Sequence, residues 1–126
     1  MTQTLIACVA AVVLLSSCGG DKSATGTSPS TTPAATITIT ASGVSPKSVT
    51  VPRGSQVEFV NSDGQPHDMT SNPHPEHTDC PELNAVGFLS PGQRRQSGNL
   101  NTPRTCGYHD HGNPDRVALQ GSIVVQ

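Results

Sequence analysis

Residues 36–61 read TITITASGVSPKSVTVPRGSQVEFVN, and this stretch decides the fold class. Thr36-Ile37-Thr38-Ile39-Thr40 alternates polar and β-branched apolar side chains with period two, the pattern of a strand that buries one face. Residues 43–46 turn the chain, residues 48–51 form a second extended piece closed by Pro52, and Arg53-Gly54 turns it again. In Gln56-Val57-Glu58-Phe59-Val60, Val57 and Phe59 share a face. Read locally, this is a meander of antiparallel strands, ended at Asn61-Ser62-Asp63-Gly64 by turn chemistry.

Working outward, residues 65–82 carry four prolines and one large apolar side chain, Met69, which predicts a long functional loop. Residues 86–89 read as a short strand, 90–92 as a turn, 93–100 as a weak polar strand, and 104–109 and 121–126 as further strands. No segment has sustained helical periodicity. Short strands separated by turn signals predict an all-β sandwich or barrel.

Upstream, the apolar run from Leu5 to Leu15 is too short to span a bilayer and has the length of a signal-peptide core. Leu15-Ser16-Ser17-Cys18 resembles a bacterial lipobox, which implies cleavage after residue 17 and lipidation of Cys18. Residues 18–35 then form a flexible tether of Gly, Ser, Thr, Pro and Ala. The expected organisation is a lipoprotein signal peptide over 1–17, the lipidated Cys and tether over 18–35, and one domain over 36–126. The membrane partner is reached through the N-terminal lipid, and the expected location is the bacterial cell envelope, on the periplasmic or extracellular face.

Composition narrows the function. Lys plus Arg number 7 against 9 acidic residues, and aromatics are 2%, so neither the basic stripe nor the stacking rings of a nucleic-acid binder are present. With Cys8 in the signal and Cys18 assigned to lipid, the mature domain keeps Cys80 and Cys106, which in an oxidising compartment read as one disulfide. All five histidines lie between positions 67 and 111, in two groups: His67, His74 and His77, then His109 and His111. Neutral imidazole is the commonest ligand for borderline metals, so copper is the expected cofactor, with zinc as the alternative. On an extended strand, His109 and His111 present both rings on one face.

At these residues the chain resembles the cupredoxins, the small copper-binding β-sandwiches. The resemblance runs through Gly43-Val44-Ser45-Pro46, residues 49–61, Pro66-His67, Leu89-Ser90-Pro91-Gly92 and residues 119–125. It implies a Greek-key β-sandwich with His67 as the first copper ligand. The family's remaining ligands, a Cys, a His and a weak axial Met, come from the loop before the last strand. Here the chain departs from the pattern. If Tyr108 is the inward aromatic that precedes the ligand Cys by two residues, the ligand slot falls on Asp110, and Cys106 lies one pleat earlier. Leu119 stands where the axial Met is expected.

The site expected from sequence is therefore metal bound by His67, His109 and His111, with Asp110, His74 and His77 as further candidates and Cys80–Cys106 as a disulfide. Such a set suits metal binding and transfer, with a metal-transfer or redox protein as partner, and not turnover. Three alternatives stay open: a blue-copper electron carrier with Cys106 as thiolate, a small metalloenzyme using Asp110 or Glu76 as acid or base, and a metal-free binding sandwich.

Overall fold

The computed structural model describes residues 32–126; the signal peptide, Cys18 and the tether up to residue 31 lie outside the described residues. Among the described residues, nine strands form two sheets: β1 Ala35–Thr40, β2 Gly43–Ser45, β3 Ser48–Val51, β4 Val57–Asn61, β5 His67–Ser71, β6 Gly87–Leu89, β7 Arg94–Gln96, β8 Arg104–Asp110 and β9 Gly121–Val125. The first sheet has the order β2-β1-β4-β7 and the second β3-β9-β8-β5-β6. The only helical segments among the described residues are short 3₁₀ turns, Pro81–Ala85 and Val117–Leu119.

The strands of residues 36–61 form where the alternation places them, but their pairing is not a meander. β1 pairs antiparallel with β2 and parallel with β4, while β3 crosses to the second sheet and runs parallel to β9. Local periodicity fixes which side chains are apolar and says nothing about which strand lies alongside. The inward residues of both sheets meet in one core that includes Ile37, Ile39, Val57, Phe59, Leu89, Leu100, Leu119 and Ile123. Phe59 of the first sheet meets Tyr108 of the second edge-on, ring centroids 5.1 Å apart, a geometry that contributes roughly 0.5–1.5 kcal/mol beyond its buried area.

A second correction concerns residues 65–82. Its first part is not loop: β5 lies inside the second sheet, between β8 and β6. Its register sets Thr70 opposite His109, Met69 opposite Asp110 and Ser71 opposite Tyr108. The loop proper begins at residue 72 and ends at Cys80, which is fully buried and bonded to Cys106 of β8 with Cα atoms 5.6 Å apart. The expected disulfide is present, and with it Cys106 ceases to be available as a copper thiolate. The blue-copper alternative is thereby corrected.

Candidate metal centre

Period-two alternation sorts the histidines before any distance is measured. On β8, Cys106, Tyr108 and Asp110 project to one side of the sheet and Gly107 and His109 to the other. On β5, His67, Met69 and Ser71 share the inner side, and Asp68 and Thr70 the outer. Residues opposite one another across an antiparallel pair face the same way, so the register sets Thr70 beside His109 on the outer face and Met69 beside Asp110 on the inner. His67 and His109 thus stand on opposite faces of one sheet.

On the inner face, His67 is 3% exposed and both its ring nitrogens face carboxylates: Nδ1 lies 2.9 Å from Asp110 Oδ2 and Nε2 3.1 Å from Asp63 Oδ2. Asp110 also accepts hydrogen bonds from the backbone N–H groups of Asp68 (3.0 Å) and Gly112 (3.1 Å) and from Asn113 Nδ2 (2.9 Å). Burial pulls its carboxyl upward, but the hydrogen bond with His67 and these further donors outweigh burial and hold it below its ordinary value. Asp63 is lowered chiefly by its own hydrogen bond with His67. The turn that presents Asp63 is fixed by buried Asn61, whose Oδ1 accepts from the Asp63 N–H (2.9 Å) and whose Nδ2 donates to the carbonyls of Gln65 (2.8 Å) and Leu89 (3.0 Å). With both His67 nitrogens engaged, the residue that the resemblance nominates as first ligand does not join the other histidines, and neither does Asp110.

On the outer face, His74, His77, His109 and His111 each offer a ring nitrogen, and these four atoms lie within 4.8 Å of one another. Residues 72–79 bring the first two over β8, which carries His109 and leads directly into His111. The His77 ring lies 5.2 Å from that of His109 and 4.9 Å from that of His111, and His74 lies 5.5 Å and 5.0 Å from the same two. His77 holds φ at 53°, in the left-handed region, uncommon for a residue other than glycine. Two hydrogen bonds keep it there: its N–H donates to Pro73 O (2.7 Å), and Asn84 Nδ2 donates to its carbonyl (2.9 Å).

Each neutral imidazole offers one lone pair to a metal, and within the set His111 Nδ1 and His77 Nε2 lie 3.2 Å apart, sharing a hydrogen bond. His109 is 2% exposed, its Nδ1 lies 2.7 Å from Asn72 Oδ1, and its Nε2 is buried with no hydrogen-bond partner. Burial pushes His109 down in pKa, and the His77, His74 and His111 rings push it further; burial and then the His111 and His74 rings do the same to His77. Imidazoles crowded together favour their neutral, ligating form. An orphaned buried nitrogen among three other imidazoles is what a metal ion would satisfy, and the nitrogen-only donor set fits copper or zinc. A cleft of about 400 Å³ opens beside His74 and His109, lined also by Asn72, Asp79 and Gln120.

Among known proteins, no family model and no curated protein matches the sequence. Solved structures do match. The purple cupredoxin of Nitrosopumilus maritimus aligns at 21% identity over 73% of this chain and 99% of its own, with a TM-score of 0.57. The plastocyanin of Dryopteris crassirhizoma aligns at 20% identity over 72% and 99%, with a TM-score of 0.55. An oxidized amicyanin variant aligns at 20% identity over 74% and 82%, with a TM-score of 0.58. The fold is cupredoxin-like. At these identities the likeness is one of architecture, and the ligands must be read from this chain's own side chains.

Of the residues expected at the site, His109, His111, His74 and His77 come together, while His67 and Asp110 pair with each other and Cys106 is bonded to Cys80. Asn72 also stands at the site, within 2.7 Å of His109 Nδ1. Its signal is faint, an Asn before Pro in a polar loop, because its role depends on what it touches across the sheet.

Proposed function

We propose that this chain is a copper-binding, cupredoxin-like lipoprotein of the bacterial envelope that holds a metal ion at His74, His77, His109 and His111 and passes it on. The observation that carries the reading is the buried, unpartnered Nε2 of His109 on a ring that stands in a group of four imidazoles with ligand atoms within 4.8 Å of one another. His109 would form the fixed part of the centre, and the more exposed His74, His77 and His111 the part open to exchange. Bound copper would supply a redox-active, Lewis-acidic cation there. Copper is favoured over zinc because a given nitrogen site binds Cu(II) more tightly. With Cys80 and Cys106 in a disulfide, the described residues offer no thiolate for a blue-copper centre, so we read the activity as metal binding and transfer, with a metal-accepting protein as partner. The envelope location and the lipid anchor rest on the leader and on Leu15-Ser16-Ser17-Cys18.

Titration of the purified protein with Cu(II) tests the reading. The expected result is one ion per chain, pale in colour, with an electron paramagnetic resonance spectrum of nitrogen ligation. An intense copper–thiolate absorption, or no binding, would overturn it.

A further inference from the structure

We infer that Asn72 is a positioning residue which keeps the proton of His109 on Nδ1 and so leaves Nε2 free to ligate; this rests on the metal-centre reading above. A neutral imidazole carries one N–H and one lone pair, and the hydrogen bond made by one nitrogen decides the state of the other. The amide oxygen Oδ1 of Asn72, 2.7 Å from His109 Nδ1, accepts only. It therefore requires the proton on Nδ1 and places the lone pair on Nε2, the buried atom without a partner. Rotated by half a turn, the same amide would present its NH₂ to Nδ1, draw the lone pair there, and put the proton on Nε2, where it would block a metal.

Two features hold Asn72 where its side chain can act. Its backbone is tied to both flanks of the site: its N–H donates to Gly107 O (3.0 Å), and its carbonyl accepts from Asp79 N–H (2.8 Å) and Ser71 Oγ (2.8 Å). Its side chain lies over Gly107, the residue two before His109 on the same face of β8. A Cβ placed on Gly107 would collide with Asn72 Nδ2 and come within 3.1 Å of its Cγ. The Asn72 amide keeps this position only because residue 107 is glycine. Gly107 and Asn72 thus form one device: the missing side chain of the first makes the slot for the amide of the second, and that amide sets the tautomer of His109.

The test compares Asn72→Ala, Asn72→Asp, Gly107→Ala and the Asn72→Ala/Gly107→Ala double variant with the wild-type protein. Cu(II) affinity is measured by competition with a chromophoric chelator, and the His109 tautomer by ¹⁵N NMR of the apo-protein. Loss of an outer partner to a ligating histidine typically costs 10–100-fold in metal affinity, which is the loss expected for Asn72→Ala. Asn72→Asp, which keeps an accepting oxygen, should stay within about threefold of wild type if the tautomer is the mechanism. Gly107→Ala should weaken binding like Asn72→Ala, and the double variant should be no worse than the weaker single, because both act through one hydrogen bond. NMR should show Nδ1–H in the wild type and a shift toward Nε2–H in Asn72→Ala. Wild-type affinity and an unchanged tautomer in Asn72→Ala would overturn the inference, as would full additivity in the double variant. A wild-type protein that binds no copper would instead remove the metal-centre reading and the ligand role with it, while the apo-protein NMR would still report whether Asn72 sets the tautomer.

Discussion

His67 and His109 are almost equally buried, at 3% and 2% exposed, and they stand on opposite faces of the same sheet. What separates them is their company. His67 lies between Asp63 and Asp110, so each of its nitrogens meets a carboxylate. His109 meets one amide oxygen at Nδ1, no partner at Nε2, and the rings of His74 and His77 nearby. Burial does not make a histidine a ligand or a structural group. The balance of acceptors around it does: carboxylates engage both nitrogens of His67, while a single neutral acceptor leaves one nitrogen of His109 for a metal.

The sharpest way to break this comparison is to remove each ring in turn. His109→Ala should abolish copper binding, by more than the roughly 100-fold that removal of an outer partner can cost, with a much smaller effect on unfolding in urea. His67→Ala should leave copper affinity near wild type and destabilise the fold by about 3–5 kcal/mol, the cost of stranding a buried charge partner. A copper titration and a urea melt on both variants check this; swapped effects would reverse the assignment of the two faces.

The disulfide links the outer loop to β8, and its loss should be felt next. Cys80→Ser and Cys106→Ser should each cost about 2–5 kcal/mol, by similar amounts, since each removes the same bond. Unequal destabilisation in thermal melts would mean that one cysteine has a separate role.

Acid should separate the two faces without mutation. His77 and His109 are depressed below the ordinary histidine value of 6.5. Between that value and their folded pKa the unfolded chain binds more protons, so their contribution is present above about pH 6.5 and is lost as pH falls through the folded values. Asp110 is depressed below 3.8, so its contribution persists to lower pH and is lost only as pH falls below that value. Urea midpoints of the apo-protein should therefore decline in two stages. His67→Ala should shrink the lower stage, since Asp110 keeps its Asp68, Gly112 and Asn113 donors, and leave the upper. The smallest effect expected is that of His77→Gly, which relieves a left-handed backbone: stability should stay within about 1 kcal/mol of wild type or rise, while copper affinity falls.

Much of this architecture is legible in the sequence, and the failures have physical causes. β1 announces itself by alternating an apolar face with a polar one, and β4, β8 and β9 by short runs of β-branched or aromatic residues between turn signals. β5 does not, since His67-Asp68-Met69-Thr70-Ser71 is buried largely through polar partners: His67 with Asp110, and the Ser71 N–H with Asn84 Oδ1 at 3.0 Å. The parallel pairing of β1 with β4 is non-local and leaves no trace in either segment. At the site, the clustering of His74, His77, His109 and His111 is visible as composition, and the Cys80–Cys106 pairing as cysteine arithmetic. His67 enters the expected ligand set through the resemblance alone. The parity that placed Asp110 inward beside Tyr108 also turns His109 outward, and applying it across the β5–β8 register separates His67 from the metal face. Asn72 and Gly107 carry no local signal, because the role of each is defined by contact with the other.

The most direct test of the central claim is a crystal structure of the copper-loaded protein with data collected at the copper absorption edge. The account predicts a single anomalous peak about 2 Å from ring nitrogens of His74, His77, His109 and His111, with His67 still between Asp63 and Asp110. A peak beside His67 or Asp110, or none at the four outer histidines, would contradict it.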